Sequence, residues 1–408
     1  MKRLPFPGPF AQMAFAIAGG ILLGYFDPRA AMQMKPLGDW FLAAIRFLIV
    51  PIVFFTVMSG IGALGQVRQV GRLGIRALLC FELISTLALA AGMLAAHLFQ
   101  PGAGFPLSGD ALSGVTPNAG GSAAAVMPSL PDTIGQAFRK SSILQTLLLA
   151  CGFGVATVLL GDRAKPFSAR CDWIGARLLT LVGWLMRLAP LAAFGAIAFS
   201  VGRYGVHSVT PLIRLLALLY ATTALFVLLP LGLLARQAGF RIGAFIRYLK
   251  EELMLVFGTS SSVTAMPGLL KKLEMAGCPR IVVGVAIPAG YSFNLNGSSI
   301  YLTMAVVFLA QAFQIRLGFG EYLTILAVAM VTSKGASGVA GSAFMALAAT
   351  IAAVPALPDS SLLLIVGIER LLKCRPLANV IGNGVACMTI AAWDGKLDDA
   401  ALESQRLR

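Results

Sequence analysis

Between Ile281 and Phe313 the chain stays apolar for long enough to cross a bilayer, yet "FNLNGSS" (293–299) interrupts the run near its middle. Hydrocarbon offers no partner to a backbone N–H or C=O. A membrane-spanning helix therefore stays unbroken unless the break is buried in protein or lines a cavity. Asn294, Asn296, Ser298 and Ser299 around Gly297 predict such a break. The reading requires that the run does span a membrane, and composition supplies that condition. Of 408 residues, 58% are hydrophobic and 12% charged, with mean hydropathy +0.84. A soluble core cannot hide that much apolar surface, so the chain reads as an all-α polytopic membrane protein.

A spanning helix needs about 20 apolar residues, and candidates lie near 10–27, 40–64, 74–99, 143–161, 174–201 and 209–235. The first is followed directly by another and shows no small-residue cleavage site, so it reads as a span and not as a signal peptide. The net charge is +15, but its distribution is topogenic. Lys2, Arg3; Arg68, Arg72, Arg76; Arg163, Lys165, Arg170; Arg236, Arg241, Arg247, Lys250; and Lys271, Lys272, Arg280 all fall on the side of the N-terminus. The positive-inside rule then puts both termini in the cytoplasm. No basic and aromatic stripe accompanies the charge, which argues against nucleic acid as a partner. The six cysteines are scattered without a CxxC, and the two histidines, His97 and His207, have no partner motif. Neither disulfides, a resident metal nor a cofactor is expected. Nor is an enzyme, since no nucleophile–base constellation appears.

A Gly-, Pro- and Ser-rich stretch from Gln100 to Thr133 reads as a loop outside the membrane, here taken as 101–139. Beyond it, two similar blocks follow. "FGTSSSVTAMP" (257–267) precedes "FNLNGSS", and "TSKGASGVAGSAF" (332–344) precedes "RPLANVIGNG" (375–384). Paired interrupted segments point to a transporter's substrate site. Each Ser/Gly cluster is expected to form the tip of a re-entrant helical hairpin, the first over about 243–275 and the second over about 319–355. Helix ends at such tips offer free N–H and C=O groups to a ligand.

Arg375, Asn379 and Asn383 are spaced i, i+4, i+8 and share one helical face. Burying a guanidinium costs several kcal/mol unless an anion or acceptor meets it, and its planar fork suits a carboxylate. The competing reading is that Arg375 snorkels or pairs with Glu369. Pro376 removes one backbone N–H, which suits an irregular stretch beside a site. Ser260, Ser261 and Ser262 either cap a helix or ring an anion. Gly335, Gly338 and Gly341 permit the bending that a gate requires. Lys334 either snorkels outward or assists anion entry.

The ordered set "GTSSS", "PAGYSFNLNGSSIYLT", "TSKGASGVAGS" and "RPLANVIGNGVA", with "IRFLIVPIVFFTVMSGI", "CFELISTLALAAG" and "QPGAG" upstream, resembles the dicarboxylate/amino acid:cation symporter family, which has the glutamate-transporter fold. The resemblance covers nearly the whole chain and is nearest to the bacterial C4-dicarboxylate branch. It implies eight transmembrane helices plus two re-entrant hairpins in one membrane domain over 1–395, with a cytoplasmic tail at 396–408. It further implies a homotrimer in the bacterial inner membrane working as an elevator. The scaffold would span about 1–66 and 140–205, and the moving transport part about 67–100 and 206–395. Ser261 and Ser262 would then bind one substrate carboxylate with help from Ser260 and the backbone. Arg375 would bind the other, and Asn379 and Ser298 would face the substrate. Gly338 would lie in an extracellular gate at Gly335–Gly341.

The resemblance also implies differences. Amino-acid carriers of the family place an Asp one turn before the arginine, where this chain has Leu372, Lys373 and Cys374. The absent acid favours succinate, fumarate or malate over an amino acid, the alternative substrate class. The interval from Glu369 to Arg375 is about one residue short of the family pattern, which shifts the helix register there. For a coupling Na⁺, the expected ligands are Tyr291, Ser292, Asn294, Asn296, Ser333, Asn379 and Asn383. Asn296 and Asn383 stand where many members have Asp, and Phe81 and Ile84 replace oxygen-bearing residues, leaving Ser85. Fewer Na⁺, or H⁺ instead, is therefore expected. Glu82 is the candidate proton site, since burial raises a carboxyl pKa; its alternative role is a structural partner for a nearby Arg.

Overall fold

The computed structural model describes residues 9–69, 71–105, 143–335, 338, 341–354, 357–358 and 361–407. The loop expected over 101–139 lies outside the described residues from 106 onward, as do 336–337 and 339–340 of the second hairpin's tip. Among the described residues the chain is helical, with no strand. The helices are α1 (Pro9–Phe26), the short α2 (Pro28–Met32), α3 (Lys35–Gln69), α4 (Arg72–Phe99), α5 (Ile143–Leu160), α6 (Lys165–Leu185), α7 (Ala189–Tyr204), α8 (Thr210–Leu228) and α9 (Pro230–Gln237). Over the stretch expected to form the first hairpin lie α10 (Ile242–Tyr248), α11 (Lys250–Thr259) and α12 (Met266–Met275). Then come α13 (Arg280–Phe293), α14 (Asn296–Ala312), α15 (Phe319–Gly335), α16 (Ser342–Ala352), the short α17 (Leu362–Val366), α18 (Cys374–Trp393) and α19 (Asp399–Ser404).

Five helical stretches among the described residues are long and apolar enough to cross a membrane: Pro28–Gly62, Arg72–Phe99, Val206–Gln237, Arg280–Ala312 and Cys374–Trp393. α4 turns Leu79, Leu83, Leu94 and Leu98 outward, as a lipid-facing helix does. The apolar window of Arg280–Ala312 is wholly buried. The interrupted helix thus sits at the centre of the protein.

The single span expected over 174–201 is two helices, bent by 52° where α6 ends and α7 begins. Pro190 explains the break. It has no N–H to give the Met186 carbonyl four residues earlier, and that carbonyl accepts instead from Ala189 N–H at 3.3 Å and from the Arg370 guanidinium. Two motifs upstream owe their small residues to close packing on α14. A Cβ at Gly92 would lie 2.2 Å from the Ile300 carbonyl oxygen, and Thr303 Oγ1 donates to Leu89 O at 2.8 Å. In "QPGAG", a Cβ at Gly102 would lie 2.4 Å from Phe308 O, and Gly102 N–H donates to Gln311 Oε1 at 3.1 Å.

Past the end of α18, Asp394 ties the turn there to α4. Its carboxylate pairs with Arg76 on α4 and, at 2.7 Å, with Lys396. The hydrogen bond from Lys396, with the charge of Arg76 behind it, holds the Asp394 carboxyl below the usual carboxylate range. A depressed folded-state pKa gives stability that is present above the unfolded value, near 4, and lost as pH falls through the lower folded one. Asp394→Asn is therefore expected to lower the melting temperature slightly at neutral pH and to flatten its acid-side decline, measured by melting in detergent.

Candidate substrate and cation site

Helix α18 meets the interrupted helix residue by residue. Asn383 Oδ1 accepts from Asn294 Nδ2 at 3.1 Å. Asn379 Oδ1 accepts from the backbone N–H of Gly297 (2.9 Å) and Ser298 (3.3 Å), and its Nδ2 donates to Ser298 Oγ at 3.2 Å. Arg375 lies over the Tyr301 ring, 4.2 Å from its centroid. The i, i+4, i+8 face of one helix is thus matched to positions 294, 297–298 and 301 of the other, running the opposite way. Asn379 satisfies N–H groups that the first turn of α14 cannot bond within itself. Its Oδ1 is taken by two backbone N–H groups, and its Nδ2 holds Ser298 in position.

Of the two readings of Arg375, the pairing with Glu369 is the one seen directly. Its Nη2 donates to Glu369 Oε1 at 2.6 Å, and Tyr301 Oη donates to Glu369 Oε2 at 2.9 Å. All three side chains are buried. Glu369 thus cancels the charge and the ring covers one face, while Nη1 stays buried and without a partner. The short interval between Glu369 and Arg375 is absorbed by a 3-10 turn over Glu369–Leu371, after which α18 starts at Cys374. Pro376 lies in that helix's first turn, where a missing N–H is tolerated.

Both segments expected to form hairpins reach this point. The first turns at Ser260, whose φ of 57° is left-handed, a conformation that costs a non-glycine residue roughly 1–3 kcal/mol. Lys373 reinforces it, donating to Phe257 O at 2.9 Å and to Ser260 Oγ. The Gly338 carbonyl of the second hairpin accepts from Ser261 Oγ (2.9 Å), Ser262 Oγ (3.3 Å) and Val263 N–H (3.4 Å). A Cβ at Gly338 would fall 2.3 Å from Ser262 Oγ. Tyr291 Oη donates to Ser262 O at 2.9 Å, tying the tip to α13. Met186, Ser260, Gly341, Glu369, Lys373 and Arg375 are among the residues lining one small cavity between the tips and the start of α18.

The model of the sodium:dicarboxylate symporter family matches residues 10–393. The chain belongs to that family. It is 47% identical over 411 residues to the C4-dicarboxylate transport protein of Burkholderia multivorans, covering 98% of this chain and 96% of the relative. It is 46% identical over 410 residues to C4-dicarboxylate transport protein 1 of Ralstonia nicotianae, with the same coverage, and 48% identical over 407 residues to the protein of Burkholderia cenocepacia. This member of the symporter family is a transport protein and not an enzyme.

Five of the symporter's seven expected cation ligands fall into two groups, Tyr291 and Asn379 being engaged as described above. Asn294, Asn296 and Asn383 cluster at the break, almost fully buried. Asn294 Oδ1, Asn383 Nδ2 and both polar atoms of Asn296 have no partner. Buried polar atoms are ordinarily satisfied, so four orphans in one place fit a site that receives an ion or water. The cluster is tight: a Cβ at Gly382 would lie 1.7 Å from Asn296 Nδ2. Ser292 and Ser333 lie apart from it. Ser292 lines a cavity towards α3 and α6, and Ser333 Oγ is spent on Met330 O at 2.9 Å within its own helix.

Two expectations need correcting. Glu82 is not buried, with 46% of its side chain exposed, and its partner is Lys334 at 2.7 Å and not an arginine. Lys334 neither snorkels nor faces the Arg375 cavity; it is 11% exposed and also donates to Phe293 O at 3.2 Å. Two contributions were not read from the sequence at all: the Tyr301 ring and hydroxyl, and the reach of Lys373 to the first tip. Tyr301 follows Ser298 by three positions, so it shares a face with the site. Nothing local signals the contact of Lys373.

Proposed function

We propose that the protein is a secondary active symporter that imports C4-dicarboxylates such as succinate, fumarate and malate, coupled to H⁺ or Na⁺. Supporting this reading, its relatives are named for C4-dicarboxylate transport, and Arg375 Nη1 is buried without a partner beside the cavity between the hairpin tips. A carboxylate would take that free N–H. The hydroxyls of Ser261 and Ser262, now on Gly338 O, would turn to the other carboxylate as the second tip lifts. An amino-acid substrate is disfavoured because Glu369, the nearest acid, is spent on Arg375 and Tyr301, and Lys373 adds positive charge. We take the transport cycle to be an elevator motion within a homotrimer of the bacterial inner membrane, each protomer having eight spans and two re-entrant hairpins, with both termini cytoplasmic.

Radiolabelled succinate uptake into proteoliposomes, with Na⁺ and pH gradients imposed separately, tests the reading. Accumulation above equilibrium under one gradient is expected, together with competition by fumarate and malate, and the α-amino group of aspartate should give it no advantage over succinate. Passive equilibration under both gradients would sink the symport. For the cation cluster, Asn296→Asp puts an anion where both amide atoms are orphaned. Transport by that variant is expected to become more dependent on Na⁺, by roughly tenfold or more in the half-saturating concentration, since each tenfold is about 1.4 kcal/mol.

A further inference from the structure

We propose that Lys334 is a tethered cation, holding the carbonyl end of the interrupted helix where a free monovalent ion would otherwise be required. Helix α13 ends at Phe293, where the carbonyls have no partner within the helix and the macrodipole is negative. Oxygens at such half-helix ends are what transporters use to hold coupling ions. Here the Phe293 oxygen receives the Ser85 hydroxyl at 2.8 Å and the Lys334 ammonium at 3.2 Å. The Glu82 carboxylate is the ammonium's second partner, at 2.7 Å. One carboxylate and one main-chain carbonyl around a single positive charge is a donor set that an alkali cation would accept. Lys334 comes from the first leg of the second hairpin, directly after Ser333. It therefore ties that hairpin to α4 and to the break at once. The asparagine cluster on the other side of the break carries no formal charge, so in this region Lys334 and Glu82 supply one charge of each sign. The inference rests on the symport reading only for its consequence, that fewer free cations are needed per cycle; the site itself stands on these contacts.

The test needs no transport. Purified parent and Lys334→Met are melted in detergent in Na⁺ and in choline, without substrate. Removing the ammonium leaves Glu82 and Phe293 O facing a space the size of a cation. Na⁺ should then raise the variant's Tm by roughly 5 °C or more beyond any rise in the parent. Glu82→Gln/Lys334→Met, which lacks both charges, should lose that extra response. A variant recoverable in Na⁺ but not in choline would support the inference equally. Equal melting in the two salts, or failure to fold in either, would overturn it, because a vacated cation site is expected to be filled by Na⁺. If succinate uptake fails while the Na⁺ response appears, the symport reading falls and the tethered cation stands.

Discussion

Replacing Arg375 with alanine is expected to abolish saturable succinate uptake, the largest functional loss for any single change in this protein. The guanidinium does two things, and the substitution removes both. It offers Nη1 to an incoming carboxylate, and it neutralises Glu369 where both side chains are buried. Stranding one partner of a buried ion pair costs about 3–5 kcal/mol, so Arg375→Ala alone would confound lost binding with lost folding. Arg375→Lys separates them. Lysine keeps the charge beside Glu369 but lacks the planar fork, and its ammonium cannot serve Glu369 and a substrate in the same geometry. The lysine variant is expected to purify and melt within a few degrees of the parent, while succinate affinity falls at least about 100-fold, or some 2.7 kcal/mol. Isothermal titration beside the melting curve reads both quantities. Unchanged affinity in a folded lysine variant would move substrate recognition away from Arg375.

Glu369→Gln reverses the emphasis. The guanidinium then loses its anion, becomes a better partner for a carboxylate, and is itself uncompensated when the site is vacant. Lower stability without substrate, restored by succinate, is expected in melting with and without ligand. The sign of that interaction distinguishes a binding arginine from a merely structural one, because a structural pair would not be rescued by substrate.

How far the site was legible depended on whether its geometry is local. Arg375, Asn379 and Asn383 sit one turn apart on one continuous helix, so their shared face follows from spacing alone. The break at Asn294–Leu295 was legible because polar residues and Gly297 stand in an apolar run. The bend before α7 was legible in principle, since Pro190 removes a specific hydrogen bond, but apolarity across 174–201 masks it. What spacing cannot carry are contacts between distant segments. Lys334 and Glu82 are 252 residues apart, and Lys373 reaches a hairpin tip 113 residues away. Nothing near any of these residues announces its partner. Motif resemblance implies a substrate role for Ser261 and Ser262, but it does not signal their engagement with the Gly338 carbonyl, which depends on how the two tips meet.

Gly297→Ala is expected to be among the most damaging small substitutions, and its effect is on folding. The residue lies in the first turn of α14, where its N–H is held by Asn379. A Cβ there would come 2.3 Å from the Arg375 carbonyl oxygen and 2.7 Å from Arg375 Cα. Both are backbone atoms of a buried helix, so no rotamer relieves the contact. The two helices would have to separate, breaking the Asn379 and Asn383 pairings along the same face. Overpacking by a methyl group ordinarily costs about 1–3 kcal/mol. With backbone on both sides the cost is expected at or above the upper end, and with it loss of the monodisperse protein in detergent. Gly284→Ala is the matched control, since it lies in α13 and nothing stands within 4 Å of its Cβ position. There alanine should be neutral or stabilising by up to about 1 kcal/mol through helix propensity. Opposite signs for two Gly→Ala changes, 13 positions apart on either side of one break, would tie the requirement to the helix–helix contact. A folded, fully active Gly297→Ala protein would mean that the break and α18 do not pack as closely as these atoms lie.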